Sequence, residues 1–85
     1  MKHLQRVTRE TAGGHSLVYL YYDEAKAVAR TIDVTDSGSV AIDLGADGET
    51  VGIELLDPGA DELEALARIT RDRNLSLGGL FSATA

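Results

Sequence analysis

The chain has 85 residues, 44% hydrophobic and 26% charged, with no cysteine and a formal net charge of −6 at pH 7. That length makes one small domain, which buries roughly 60–65% of its unfolded surface, so oligomerisation would help it. Without cysteine, disulfide frameworks, thiolate zinc sites and cysteine nucleophiles are excluded, and the negative balance argues against nucleic-acid binding, which needs a basic footprint.

Read in chain order, residues 4–11 (LQRVTRET) form a short strand with charges on both faces, as suits a sheet edge. The glycines of AGGHS tolerate the positive φ of a hairpin turn. Residues 16–22, SLVYLYY, follow as a strand with six consecutive apolar or aromatic residues, Leu17, Tyr19 and Tyr21 on one face and Val18, Leu20 and Tyr22 on the other. Residues 28–34 place Val28, Ile32 and Val34 on one face, interrupted by Arg30. Val40, Ile42 and Leu44 alternate through a strand at 39–44, and Val51, Ile53 and Leu55 through another at 51–56, with Gly52 and Glu54 outward. Asp47-Gly48 between them is a hairpin signal.

Pro58 and Gly59 end the strands. A helix over about 61–73 starts at a capping-box-like Asp61 and Glu64, presents Leu63, Leu66, Ala67 and Thr70 on one side with Ile69 beside them, and stops at Asn74. The tail, 74–85, carries Leu75, Leu77, Leu80 and Phe81 around Gly78-Gly79 and is expected to pack back or onto a neighbour. The fold class is therefore α+β: an antiparallel β-meander of four to five strands with one C-terminal helix on its apolar face.

Candidate chemistry is sparse. Asp43 to Glu54 matches a calcium loop at its first, fifth, sixth and twelfth positions, but Gly45 stands at the third and the flanks read as strands, so a hairpin explains it better. His15 and Ser16 are adjacent on a strand and point to opposite faces, which defeats proton transfer between them. His3 and His15 are the only histidines, and no nucleophile elbow or phosphate loop surrounds the glycine pairs. No cofactor or metal is expected, and no enzyme.

Two surfaces remain. Ten acids and no lysine or arginine lie between Thr31 and Ala67; Asp43, Asp47, Glu49 and Glu54 among them form a candidate landing surface for a basic protein, against the plainer reading of a solvated face. Tyr19, Leu20, Tyr21 and Tyr22, with Leu77, Leu80 and Phe81 of the tail, are candidate interface residues for a homodimer, because the second face of strand 16–22 has no covering layer in so short a chain. An alternative is a small-ligand or nucleotide-binding module that stacks its ligand on the tyrosines. No run is long and apolar enough for a bilayer, and MKHLQRVTRE lacks the apolar core of a signal peptide, so a cytoplasmic protein is expected.

From RVTRE to VGIELLDP the chain resembles the small prokaryotic family called domain of unknown function 2283. The texture D-x-x-G-x-x-V-G-I-E-x-L is carried by Asp43 or Asp47, Gly48, Val51, Gly52, Ile53, Glu54 and Leu56. At the first hairpin, where members typically show a Tyr-Asp-rich segment with an alanine pair, this chain reads RETAGGHS. The resemblance implies a small β-meander protein without established catalytic residues, and an antitoxin-like or accessory partner of a small basic protein.

Overall fold

Gly13 and Gly14 both hold positive φ, 59° and 79°, and the two-residue turn they make sets the register of the first hairpin. The structure, a computed structural model, describes residues 1–78. Its elements are β1 (Lys2–His3), β2 (Arg6–Ala12), β3 (His15–Tyr21), β4 (Arg30–Asp33), β5 (Val40–Leu44), β6 (Thr50–Leu56), α1 (Ala60–Asp72) and β7 (Leu75–Ser76). Five strands form one antiparallel sheet in the order β2-β3-β6-β5-β4. An antiparallel sheet with one C-terminal helix is the expected architecture. Its strand order, which periodicity leaves open, puts the hydrophobic strand β3 beside β6 and makes β2 and β4 the two edges.

The second hairpin forms at Asp47-Gly48 as expected. Gly48 has φ 82°, its N–H donates to the Gly45 carbonyl at 3.0 Å, and the Glu49 N–H donates to Asp47 Oδ1 at 3.0 Å. Across the sheet, Leu20 pairs with Ile53 and Ile53 with Ile42. The helix-side core joins Leu20, Tyr22, Val40, Ile42, Leu44, Ile53 and Leu55 to Ala65, Leu66 and Ile69 of α1 and Leu75 of β7.

Three details of the helix and its surroundings differ from expectation. The helix begins two residues earlier than its acidic pair suggested: Gly59 is the N-cap, and its N–H donates to Glu62 Oε1 at 2.9 Å. Only the glutamate half of a capping box exists, since glycine has no side chain to return the bond. The buried face is Ala65, Leu66 and Ile69 rather than Leu63, Leu66, Ala67 and Thr70, a rotation of about a quarter turn at 3.6 residues per turn. Small Ala65 lets the backbone approach the sheet closely, so that side turns inward and Leu63 turns out. Finally, Lys2–His3 pairs in parallel with Leu75–Ser76, two segments too short to show any period.

Asn74 ends the helix with φ 57°, as a left-handed cap residue should. Next to it, Arg73 donates from Nε to Thr50 Oγ1 and from Nη2 to the Gly48 carbonyl, both at 2.8 Å, while Lys2 Nζ donates to the Thr50 carbonyl at 2.6 Å. Buried Thr50 is thereby satisfied from both chain ends. At the other end of β6, Asp57 takes φ 46° and its Oδ1 accepts from the Ser16 N–H at 2.7 Å, tying the end of β6 to the start of β3.

The two leucines of α1 give a direct check on the rotation. Leu66 is 1% exposed and Leu63 42%, so Leu66→Ala is expected to lose about 2–5 kcal/mol and Leu63→Ala less than about 1 kcal/mol in urea unfolding. Comparable losses would place the helix in the other orientation.

Candidate functional site

Because β-strand side chains alternate, every second residue of the sheet faces away from α1. That open face is organised in rows read across the strands: Arg6, Tyr21, Gly52, Asp43 and Thr31 in one, Thr8, Tyr19, Glu54, Ala41 and Asp33 in the next. Leu17 lies opposite Leu56 in a third. The described residues supply no second layer for this face.

Tyr19 reaches diagonally across β6, and its hydroxyl donates to Asp43 Oδ2 at 2.5 Å. Gly52 makes the crossing possible: a Cβ there would stand 2.3 Å from the Tyr19 hydroxyl oxygen, a distance no side chain tolerates. Thr31 Oγ1 donates to the second carboxylate oxygen, Asp43 Oδ1, also at 2.5 Å. One carboxylate thus ties three strands together through two charge-assisted bonds. Tyr21 packs against Tyr19 with ring centroids 4.6 Å apart and planes inclined by 56°. Over the Tyr21 ring, 4.2 Å from its centroid, sits the Arg6 guanidinium, a cation–π contact, held by Glu24 at 2.6 Å.

Burial, and then the hydrogen bond to Asp43, push the Tyr19 phenol above the ordinary tyrosine range. Tyr22, on the other face, donates its hydroxyl to the Ser76 carbonyl at 3.0 Å, and burial pushes its pKa up to about 12.

The residues singled out in the sequence separate into distinct places. Tyr19 and Tyr21 lie on the open face, as the alternation requires. Leu20 and Tyr22, at 0% and 1% exposure, are part of the single chain's own core and have no surface to offer a partner, which corrects their candidacy as interface residues. Leu77 packs against the core beside Leu63, Leu66 and Ala67, lining a shallow apolar depression. Leu80 and Phe81 lie outside the described residues. Of the four acids, Asp43 and Glu54 share the open face, whereas Asp47 and Glu49 lie at the tip of the β5–β6 hairpin, where Lys26 Nζ contacts Asp47 Oδ2 at 2.5 Å. That lysine holds the Asp47 carboxyl below its usual range.

The calcium-like loop is therefore a hairpin with an ammonium group on one of its candidate ligands, and among the described residues no three His, Asp or Glu side chains converge as metal ligands would. His15 Nδ1 lies 2.7 Å from Asp57 Oδ2, but Ser16 points to the opposite face, where its hydroxyl accepts from Arg9 Nε at 3.0 Å. Sequence reading missed Thr31, Arg6 and Leu56 as parts of the open face, because only strand order brings them beside the tyrosines. Gly52 was detectable in principle, since a glycine inside a strand marks a close approach.

Comparison with protein-family models, with curated proteins and with solved structures returned no match.

Two measurements check this geometry. Gly52→Ala is expected to expel Tyr19 from its crossing at a cost of about 1–3 kcal/mol, and in the Tyr19→Ala background the same change should cost less, because the ring edge and hydroxyl that a Cβ at position 52 would strike are both gone; equal costs would deny the contact. In a spectroscopic alkaline titration, Tyr19 and Tyr22 should ionise above the ordinary value of about 10. Folding raises both pKa values, so the unfolded chain releases these protons first. The stability they contribute is complete below about pH 10 and declines as pH rises through about 12, the value for Tyr22.

Proposed function

We propose that the protein is a small non-enzymatic interaction module, an antitoxin-like or accessory partner, whose open sheet face takes a basic polypeptide segment. The carrying observation is that an uncovered sheet face combines half-buried apolar surface, Leu17, Leu56, Tyr19 and Tyr21, with the carboxylates of Asp33, Asp43 and Glu54. A lysine- or arginine-bearing strand or helix laid across it would meet carboxylates for its charges and aromatic or aliphatic surface for its side-chain stems. Asp43 is already fixed by Tyr19 and Thr31, so it meets a partner's cation in a preset position, which lowers the ordering cost of binding.

The same features disfavour nucleotide stacking. The Tyr21 ring is occupied by Arg6 from the same chain, and the flanking carboxylates repel phosphate. A non-enzymatic reading is supported by Ser16, whose hydroxyl lies on the face opposite the His15–Asp57 pair and accepts from Arg9. In the domain of unknown function 2283 reading of the sequence, the V-G-I-E segment supplies two residues of this face, Gly52 and Glu54.

Calorimetric titration with a synthetic Lys/Arg-rich peptide tests the proposal, with adenosine monophosphate as the competing probe. The peptide is expected to bind, to weaken steeply as salt is raised, and to lose about tenfold in affinity, ~1.4 kcal/mol, on Glu54→Lys. Asp47→Asn, at the hairpin tip, should leave binding unchanged. Binding that ignores Glu54→Lys, or binding of the nucleotide alone, would reject the reading.

A further inference from the structure

The two edges of the sheet are not alike. The β2 edge carries Arg6, Thr8, Arg9 and Glu10, charges on both faces of the kind that discourage strand addition. The β4 edge is short, and on its helix side Val28, Ile32 and Val34 are 48%, 41% and 37% exposed, with Arg30 among them. Val34 borders a groove of about 270 Å³ between β4–β5 and α1, lined also by Ile42, Ala65 and Ile69 and rimmed by Arg68, Asp72 and Arg73. Among the described residues nothing covers Val28, Ile32 and Val34 completely, and all three stay partly exposed.

The backbone of this edge is equally open. The Val34 N–H donates to the Val40 carbonyl at 2.8 Å, and Ile32 pairs with Ile42, so residues 32 and 34 bond inward to β5. Alternation in an antiparallel ladder then directs the N–H and C=O of Thr31 and Asp33 outward, to the free side of the terminal strand.

We infer that β4 pairs antiparallel with β4 of a second copy of this chain about a two-fold axis at Ile32, forming one continuous ten-stranded sheet. This register is self-complementary. Thr31 and Asp33 each exchange N–H and C=O with Asp33 and Thr31 of the second copy, and the two Ile32 side chains meet in a close, non-hydrogen-bonded pair on the helix side. Both helices then lie on the same face, with the Ile32 pair between them and Arg30 of each copy laying its aliphatic stem along Val34 of the other. A basic chain fits this edge less well, because Arg30 stands among its helix-side residues, whereas a second β4 sets Val34 against Arg30 and Ile32 against Ile32. A four-residue edge buries less than about 1,200 Å², the range of weak, concentration-dependent association. Asp33 and Asp43 of both copies crowd the axis on the open face, so the dimer tightens as salt screens them. That salt response is opposite to the one belonging to a basic ligand, and the inference does not rest on the basic-partner reading.

Sedimentation and amide hydrogen exchange on the intact chain test it. Expected are a monomer–dimer equilibrium strengthened by salt, and exchange at the Thr31 and Asp33 amides that slows as protein concentration rises. Asp33→Pro removes an outward N–H at a position where an edge strand accepts proline, and should give a folded monomer; Ile32→Asp should do the same through the side chain, while Glu54→Lys leaves the dimer intact. If either variant fails to fold, concentration-dependent exchange in the unmodified chain still decides. A monomer at every concentration up to about millimolar, beyond the weak end of specific affinities, a dimer that survives Asp33→Pro, or exchange at these amides independent of concentration would overturn the inference.

Discussion

One helix cannot cover five strands. Strands spaced about 4.8 Å apart give a five-stranded sheet a width of some 20 Å or more, while a helix with its side chains is about 10–12 Å across. The single helix α1 therefore covers only part of the sheet, lying nearest to β5, and its Ala65, Leu66 and Ile69 join a core in which Val40, Ile42, Ile53 and Leu55 are concentrated. Everything of functional interest follows from what is left uncovered. Among the described residues nothing covers the far face, and on the near face β4 keeps apolar side chains partly in water. The molecule spends its limited apolar surface on one compact core and manages the remainder with polar devices on one face only.

Those devices explain why the open face can be aromatic and still ordered. Tyr19 would be mobile on a bare sheet, but Gly52 lets it lie flat and Asp43 fixes its hydroxyl. Thr31 orients the same carboxylate from the other side. The arrangement couples β3, β6, β5 and β4 on the solvent side, complementing the hydrophobic coupling beneath. It also fixes a negative charge next to aromatic surface, a combination suited to recognising a cation with an aliphatic stem. Arg6 closes the opposite margin, giving the face a polarity from β2 to β4.

Much of this was legible in the residues, and the exceptions have physical causes. Alternation at 40–44 and 51–56, the turns at Gly13-Gly14 and Asp47-Gly48, and the sharing of one face by Tyr19 and Tyr21 all follow from period-two patterning and φ preferences. The orientation of α1 did not, because Ala65 is apolar yet small, and its value lies in allowing close approach rather than in its own burial. The helix start was misplaced because Asp61 is a good cap residue in isolation, whereas Gly59 with Glu62 satisfies the same donors two residues earlier. The hydrophobic run at 16–22 predicts one face against the helix and one for a partner, without fixing which is which. Half of it, Leu20 and Tyr22, is core, and only pairing with β6, remote in sequence, reveals which half. Open-face partners such as Thr31 depend on strand order, which no local pattern encodes.

The parallel pairing of Lys2–His3 with Leu75–Ser76 has a consequence for how the chain acquires its structure. These segments are separated by nearly the whole described chain, and the buried Tyr22 hydroxyl also waits on the Ser76 carbonyl. During synthesis the first strand and the β2–β3 hairpin are complete long before their partners leave the ribosome, and β3 has no second neighbour until β6 is made. Contacts of such long sequence separation close late and slowly. The apolar strand 16–22 is therefore the chief apolar segment of the nascent chain that waits for a distant partner, and the charges that line β2 beside it act as gatekeepers against wrong pairing until the sheet is built.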